Sequence, residues 1–296
     1  MSALTGAALE HTVEEPSGRQ RRTRGGRRRN GGWLLPLWGW LVILWLSSPI
    51  IVMIVFGFNN SKGKFNITWQ GFTLHWYRDL FAIPDLTTAL RNSLLIAVIV
   101  TAIATVLGTG VGMALGKYRF RGAGSVNLLL FANIAAPEVV LGAALLSMFL
   151  TLSIPRGFLT IVLAQVMFSI AYVAVTVRAR MAGLDPSLEE AARDLGAGPA
   201  TTFFKVTLPI IMPGVMAGAL LAFALSIDDY IITSFNNGST QTFPLWVYAA
   251  AQRTGGSVPP QVNVMGTLIF TFGVLLAVAG YVTSRRRLAQ VKAIDE

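Results

Sequence analysis

The sequence predicts an all-α, polytopic membrane protein in which six helices cross the bilayer, and three observations carry that expectation. Of the 296 residues 53% are hydrophobic and only 13% charged, a balance too apolar for an ordinary soluble domain. Six apolar stretches recur along the chain, each near the ~20 residues needed to cross hydrocarbon. The basic residues fall on alternate connections between those stretches, as the positive-inside bias requires. Backbone groups in hydrocarbon find no water, so each stretch is expected to be helical.

Residues 1–32 come first and read as a disordered basic cytoplasmic tail, with Arg19, Arg21, Arg22, Arg24, Arg27, Arg28 and Arg29 among Gly, Ser and Thr and no apolar period. A signal peptide is excluded, because the apolar segment that follows is far longer than an h-region of ~7–15 residues. The arginines serve as a topology anchor; anionic-lipid attraction and nucleic-acid contact are the alternatives. The net charge of +10 sits beside membrane spans rather than on one patch, which argues against a nucleic-acid partner. A transmembrane domain over 33–285 is expected to hold spans at 33–58, 92–116, 126–152, 158–177, 210–235 and 262–283, followed by a cytoplasmic tail of 286–296. The chain has no cysteine, and its two histidines, His11 and His75, lie far apart, so neither a thiol nucleophile nor a Cys or His metal cluster is available. No nucleophile, base and orienting group fall together, so no catalytic residue is expected.

Topology follows from counting Lys and Arg in the connections. Eighteen fall on one side: the tail arginines, Lys117, Arg119, Arg121, Arg178, Arg180, Arg193, Lys205, Arg285, Arg286, Arg287 and Lys292. Six fall on the other: Lys62, Lys64, Arg78, Arg91, Arg156 and Arg253. Both termini and the connection between spans four and five are therefore expected in the cytoplasm. Span two carries Gly108, Gly112 and Gly116 at four-residue intervals, a small-residue ridge for close helix packing. Gly116-Lys117 is no phosphate loop, since Val111 stands where its first glycine would be. Outside, residues 59–91 form the longest loop, with Trp69, Phe72, His75, Trp76, Tyr77 and Phe81 as an interfacial aromatic belt or as a docking surface for an external partner.

The connection over 185–209 holds the most specific pattern. Asp185 suits an N-cap, Pro186 the first helical position and Gly196 a helix stop. Leu188, Ala191, Ala192 and Leu195 share one face, with Glu189, Glu190, Arg193 and Asp194 mostly on the others, so an amphipathic helix with a face to bury is expected. A second short segment, 199–205, leads to Leu208-Pro209. Glu190-Ala191-Ala192, Gly196, Val206 and Leu208-Pro209 resemble the EAA loop of the permease subunits of bacterial ABC importers, with Val206 in the isoleucine position as the one departure.

Three acids occupy positions where acids are costly: Glu138 in span three, and Asp228 and Asp229 in span five. Counted along straight helices, Glu138 and Asp228 lie at similar depth, ~18–20 Å from the cytoplasmic ends. Pro137 is expected to open the helix ladder beside Glu138. Adjacent aspartates point ~100° apart on a helix, so one of the two is expected to face a given cavity. Such acids either line a path for a cationic substrate or are structural, paired with Arg91 or hydrogen-bonded to Ser226, Thr233 or Asn92.

Ser226-Ile227-Asp228-Asp229-Tyr230, Ala135-Ala136-Pro137-Glu138-Val139-Val140, Lys117-Tyr118-Arg119-Phe120-Arg121-Gly122 and Arg91-Asn92-Ser93 together look like the spermidine/putrescine permeases of this class, over about residues 33–285. The resemblance implies a type I importer fold, with Glu189, Glu190, Ala191, Ala192, Asp194, Gly196, Leu208 and Pro209 coupling to an ATPase. It implies Glu138, Asp228, Asp229 and Tyr230 along a substrate path. The implied partners are a homologous second permease, two copies of a cytoplasmic ATPase holding the ATP and Mg, and an external or periplasmic substrate-binding protein; the chain itself needs no cofactor. Related permeases move iron(III), thiamine or phosphonates, and a proton-coupled secondary transporter using the intramembrane acids is the rival outside the class.

Overall fold

The computed structural model describes residues 34–62, 66–256 and 258–292, the last stretch from 283 on as backbone only. The expected tail of 1–32, Lys64, the side chains of Arg285, Arg286, Arg287 and Lys292, and residues 293–296 lie outside what is described. By packing the chain falls into two units, 1–48 and 49–296.

Every regular element among the described residues is helical, apart from one isolated bridge between Asn59 and Phe72. Helix α1 (Leu34–Phe56) is apolar over its whole length and contains Pro49. A short α2 (His75–Arg78) lies in the following loop, and α3 (Pro84–Lys117) runs for 34 residues. It starts eight residues before the expected span, because Pro84 is well placed in a first helical turn, where a missing N–H costs nothing. Arg91, Asn92 and Ser93 therefore sit inside α3 instead of opening it: Asn92 donates to the Gln241 carbonyl at 2.9 Å, and the Ser93 hydroxyl accepts from the Phe243 N–H at 2.8 Å.

The expected third span is two helices, α4 (Ala123–Ala135) and α5 (Glu138–Thr151), which meet at 110°. Pro137 supplies no N–H and forces Ala136 into extended backbone, φ −66° and ψ 135°, so the ladder breaks completely rather than opening locally. The depth reckoned for Glu138 along a straight span does not hold. Helix α6 (Phe158–Met181) runs four residues further than expected. After α7 (Ser187–Asp194), the segment from Pro199 is not a separate helix: α8 (Pro199–Thr202) passes through a π turn, Phe203–Thr207, into α9 (Leu208–Asp228) as one apolar run of 30 residues. Pro209 has no N–H for the Lys205 carbonyl and its ring would crowd it, which a widened turn relieves. The expected fifth span ends at Asp228, seven residues early; α10 (Ile231–Asn236), α11 (Phe243–Arg253) and α12 (Pro260–Lys292) complete the chain. Among the described residues five helices are long and apolar enough to cross a membrane, and six spans result if α4 and α5 count as one.

Helices α3, α6 and α9 form the centre. Gly108, Gly112 and Gly116 do face α6, and a Cβ at each would lie 2.6 Å from Val173 Cβ, 2.6 Å from the Ala174 carbonyl oxygen and 2.7 Å from Met181 Cβ. The same side chain receives α9, where a Cβ at Gly218 would meet Val173 Cγ1 at 3.2 Å. One valine is thus seated between two glycines of two different helices, and the three backbones approach as closely as small residues allow. The end of the bundle remote from α7 is filled by Leu86, Ala89, Trp246, Ala250, Val264 and Met265.

Candidate functional site

Two places bring the singled-out residues together. The first is α7. Asp185 Oδ1 accepts the Ser187 N–H at 3.0 Å, and that bond holds its carboxyl below the usual range. At the other end the Gly196 N–H bonds the Arg193 carbonyl and the Ala197 N–H the Ala192 carbonyl, while Gly196 adopts φ 82°. This is a Schellman stop, which needs a left-handed residue and so favours glycine.

The faces of α7 are not distributed as the amphipathic pattern implies. Leu188 and Leu195 are 47% and 90% exposed and Ala191 is exposed, so the apolar face is left open by this chain. Glu189, expected on the solvated side, is only 6% exposed. Its carboxylate pairs with Lys117 at the end of α3, accepts the Thr207 hydroxyl at 2.7 Å and has Arg193 at 3.7 Å. Burial pushes its carboxyl up, but the bonds from Lys117 and Thr207 and the charges of Lys117 and Arg193 outweigh it, and the net direction is down. Glu190 and Asp194 point to solvent, and Pro209 is also exposed where α9 begins, with Leu208 half-buried. Beside α7 lies a hollow of about 280 Å³ between Lys117, Met181, Leu184, Pro186 and Glu190.

The second place is a cavity of about 490 Å³ where the two broken helices meet, lined by Glu138, Phe168, Leu225, Asp228, Asp229 and Tyr230. Glu138 opens α5 and Asp228 closes α9, both exposed to the cavity. Asp229 sits in extended backbone between α9 and α10, so the two aspartates diverge because the helix ends between them, not because of a helical offset. Asp229 Oδ1 accepts the Ile232 N–H at 3.1 Å; Oδ2 accepts the Thr233 N–H at 2.9 Å, the Thr233 hydroxyl, and Gln165 Nε2 at 3.0 Å. The carboxylate caps α10, a local alternative that outcompetes continuation of α9. Gln165 in turn reaches Thr233 Oγ1 at 2.8 Å and accepts from the Ser226 hydroxyl. Of the structural partners expected for the acids, Thr233 is engaged directly, Ser226 through Gln165, and Asn92 not at all. The Tyr230 ring lies 4.6 Å from that of Tyr248 of α11, tilted by 42° to it.

Sequence reasoning did not single out Gln165, Thr207 or Lys117 as site residues. Gln165 had a visible signal, as the one amide side chain in the mostly apolar α6.

Residues 107–290 match the family described as binding-protein-dependent transport system inner membrane component. The chain belongs to this family. The spermidine/putrescine transport system permease protein PotC of Escherichia coli strain K12 is 37% identical over 261 residues, covering 88% of this chain and 95% of that protein. The putrescine transport system permease protein PotI of the same strain is 37% identical over 259 residues, covering 84% and 90%. Among solved structures, that of a bacterial ABC transporter involved in alginate import superposes with a TM-score of 0.60 at 17% identity, covering 86% of this chain and 95% of that one. The inward-facing MetNI methionine ABC transporter superposes with a TM-score of 0.57 at 17% identity, covering 68% and 95%. At these identities the structures speak for the fold, and they agree with the all-α permease fold expected from the sequence. The chain is a multi-pass membrane permease component of an ABC importer.

Proposed function

We propose that this permease forms half of a translocation path for a polyamine, spermidine or putrescine, with Glu138 and Asp228 facing the substrate. The observation that carries the reading is the cavity at the two helix breaks. It presents two carboxylates that none of the ion pairs among the described residues engages, beside the Tyr230 ring, which Tyr248 contacts in turn. A substrate ammonium leaving water gains carboxylate oxygens in place of its hydration shell, and aromatic faces attract the same charge. Asp229, whose oxygens already hold α10 and Gln165, borders the path as a structural group. The 37% identity to permeases named for spermidine and putrescine supports the same substrate class.

In this reading α7 lies on the cytoplasmic side, both termini are cytoplasmic, and the open face of Leu188, Ala191 and Leu195 docks in a groove of an ATPase that binds the ATP and Mg. Glu190 and Asp194 flank the docked face with polar contacts, and the Gly196 turn and Leu208-Pro209 fix its exit. A homologous second permease completes the path, and a substrate-binding protein delivers from outside. Closure of the ATPase pair on ATP then rocks the permeases between inward-facing and outward-facing states. The test is uptake of labelled spermidine by cells lacking their own polyamine import, expressing this chain with its neighbouring permease, ATPase and binding protein, with unlabelled putrescine as competitor. ATP-dependent uptake that putrescine reduces is expected; an assembled complex that takes up no labelled spermidine, and none of labelled putrescine supplied in its place, refutes the polyamine assignment.

A further inference from the structure

The Glu189 carboxylate is joined to groups on two other elements, α3 and the π turn, and to one on α7 itself. Lys117 is the last residue of α3, Thr207 closes the π turn that feeds α9, and Arg193 lies one turn further along α7 itself. A carboxylate only 6% exposed is costly unless paired and hydrogen-bonded, and this one has both kinds of partner. Elsewhere α7 is loosely held. Its apolar face is open, and its chain connections run through Gly183 before it and through Gly196 and Gly198 after it, residues that resist bending poorly. Pull on α7 is therefore passed to the bundle by the side-chain anchor more than by the backbone on either side.

We infer that Glu189 is a positioning residue, a strut that makes α7, the end of α3 and the start of α9 move as one body when the ATPases close. This rests on the reading of α7 as the ATPase-docking helix, and it assigns Glu189 a different task from its neighbours. Leu188, Ala191, Leu195 and Glu190 meet the ATPase, while Glu189 faces inward and delivers the movement to the transmembrane helices. Loss of the strut leaves an importer that still holds its ATPase and still hydrolyses ATP, but in which hydrolysis no longer moves the path.

The experiment uses the complete complex in liposomes, with labelled spermidine taken up per ATP hydrolysed as the readout and retention of ATPase on the purified permease as the control. Glu189→Gln and Lys117→Met are each expected to retain ATPase and lower the uptake-to-hydrolysis ratio about tenfold. The double variant is expected to do no worse than either single one, since the two residues act through one contact. Thr207→Val, which removes one hydroxyl from a buried site, covers the case in which the charge variants fail to fold; its ratio is expected to fall about threefold. An unchanged ratio in Glu189→Gln or, where that variant does not fold, in Thr207→Val, loss of ATPase in proportion to the lost uptake, or a double variant whose loss is the product of the single losses would overturn the strut. Leu195→Glu on the docking face separates the two ideas: release of the ATPase there, together with an unchanged ratio in Glu189→Gln, removes the strut and leaves the docking helix standing. Retention of ATPase and normal transport in Leu195→Glu removes the docking reading on which the strut depends.

Discussion

Asp228 and Asp229 are adjacent in sequence and are expected to respond to mutation in opposite ways. Replacing Asp229 by alanine removes the cap of α10, where the carboxylate accepts two backbone N–H groups, and withdraws the acceptor from Gln165 Nε2. A lost cap costs about 0.5–2 kcal/mol. A lost hydrogen bond to a charged group costs about 1.5–3 kcal/mol, though Gln165 keeps its Thr233 contact and the lower end of that range applies. Together the change is about 2–4 kcal/mol, a loss of roughly 30- to 1,000-fold in the folded-to-unfolded ratio. Asp228→Asn removes no bond of this kind among the described residues: the side chain is exposed to the cavity. Loss of one charge-assisted contact to a substrate ammonium, about 1.5–3 kcal/mol, corresponds to a roughly 10- to 150-fold fall in uptake at subsaturating substrate. The assay is a paired measurement of permease abundance in the membrane, by immunoblot and by melting in detergent, and of spermidine uptake per unit of permease. Asp229→Ala should lower abundance and melting temperature; Asp228→Asn should leave both in place and lower uptake. Abundance falling in step with uptake for Asp228→Asn, or a fully stable Asp229→Ala, would refute the division of labour.

Other outcomes follow from the same geometry. Glu138→Gln should lower uptake without lowering abundance, and more for the longer, more highly charged polyamine than for putrescine, as measured by competition. Gly112→Val places its Cβ 2.6 Å from a backbone oxygen that cannot rotate away, so α3 and α6 must separate, costing about 1–3 kcal/mol or more in the melting of the complex; a wild-type melting curve would contradict the packing. Gly196→Ala strains the left-handed stop of α7 by about 1–2 kcal/mol and should weaken uptake with the ATPase still expressed. Glu190→Arg should uncouple ATP hydrolysis from uptake while the protein still reaches the membrane, measured as the ratio of the two in vesicles. Because the folded Glu189 carboxyl lies below its ordinary 4.5, its stabilisation is complete above that value and lost as pH falls through the folded one; Glu189→Gln should flatten the acid limb of the melting temperature against pH.

Much of this was legible in the residues. The glycine ridge of α3 announced a close helix contact, for which the structure supplies α6, and the offsets of Glu190, Gly196, Leu208 and Pro209 announced a capped helix before an apolar one. What was not legible has a common cause, since apolar composition reports that a segment is buried but not in which direction it runs. A window over 126–152 or 210–235 looks like one span whether or not the chain turns inside it. Pro137 gave a hint of the first break; the second depends on Asp229 choosing the N–H groups of Ile232 and Thr233, a competition invisible until the helix end is seen. The inversion of α7 is of another kind. Its pattern correctly reported one apolar face, but amphipathicity does not say whose surface covers that face, and in this chain Leu188 and Leu195 stay open while Glu189 turns inward. Gln165 was overlooked because one amide in an apolar run attracts less notice than a charge.

The length of α3 has a mechanical consequence. Its 34 residues extend ~50 Å, well beyond the ~30 Å of hydrocarbon, so a single unbroken rod touches Glu189 at its last residue and, through Ser93 in its first third, the start of α11 at Phe243. A tilt of ~5° about its middle displaces each end by ~2 Å in opposite directions. Such a rod is a lever, and a small push on its end beside α7 arrives at its far end with no relay of side chains between them.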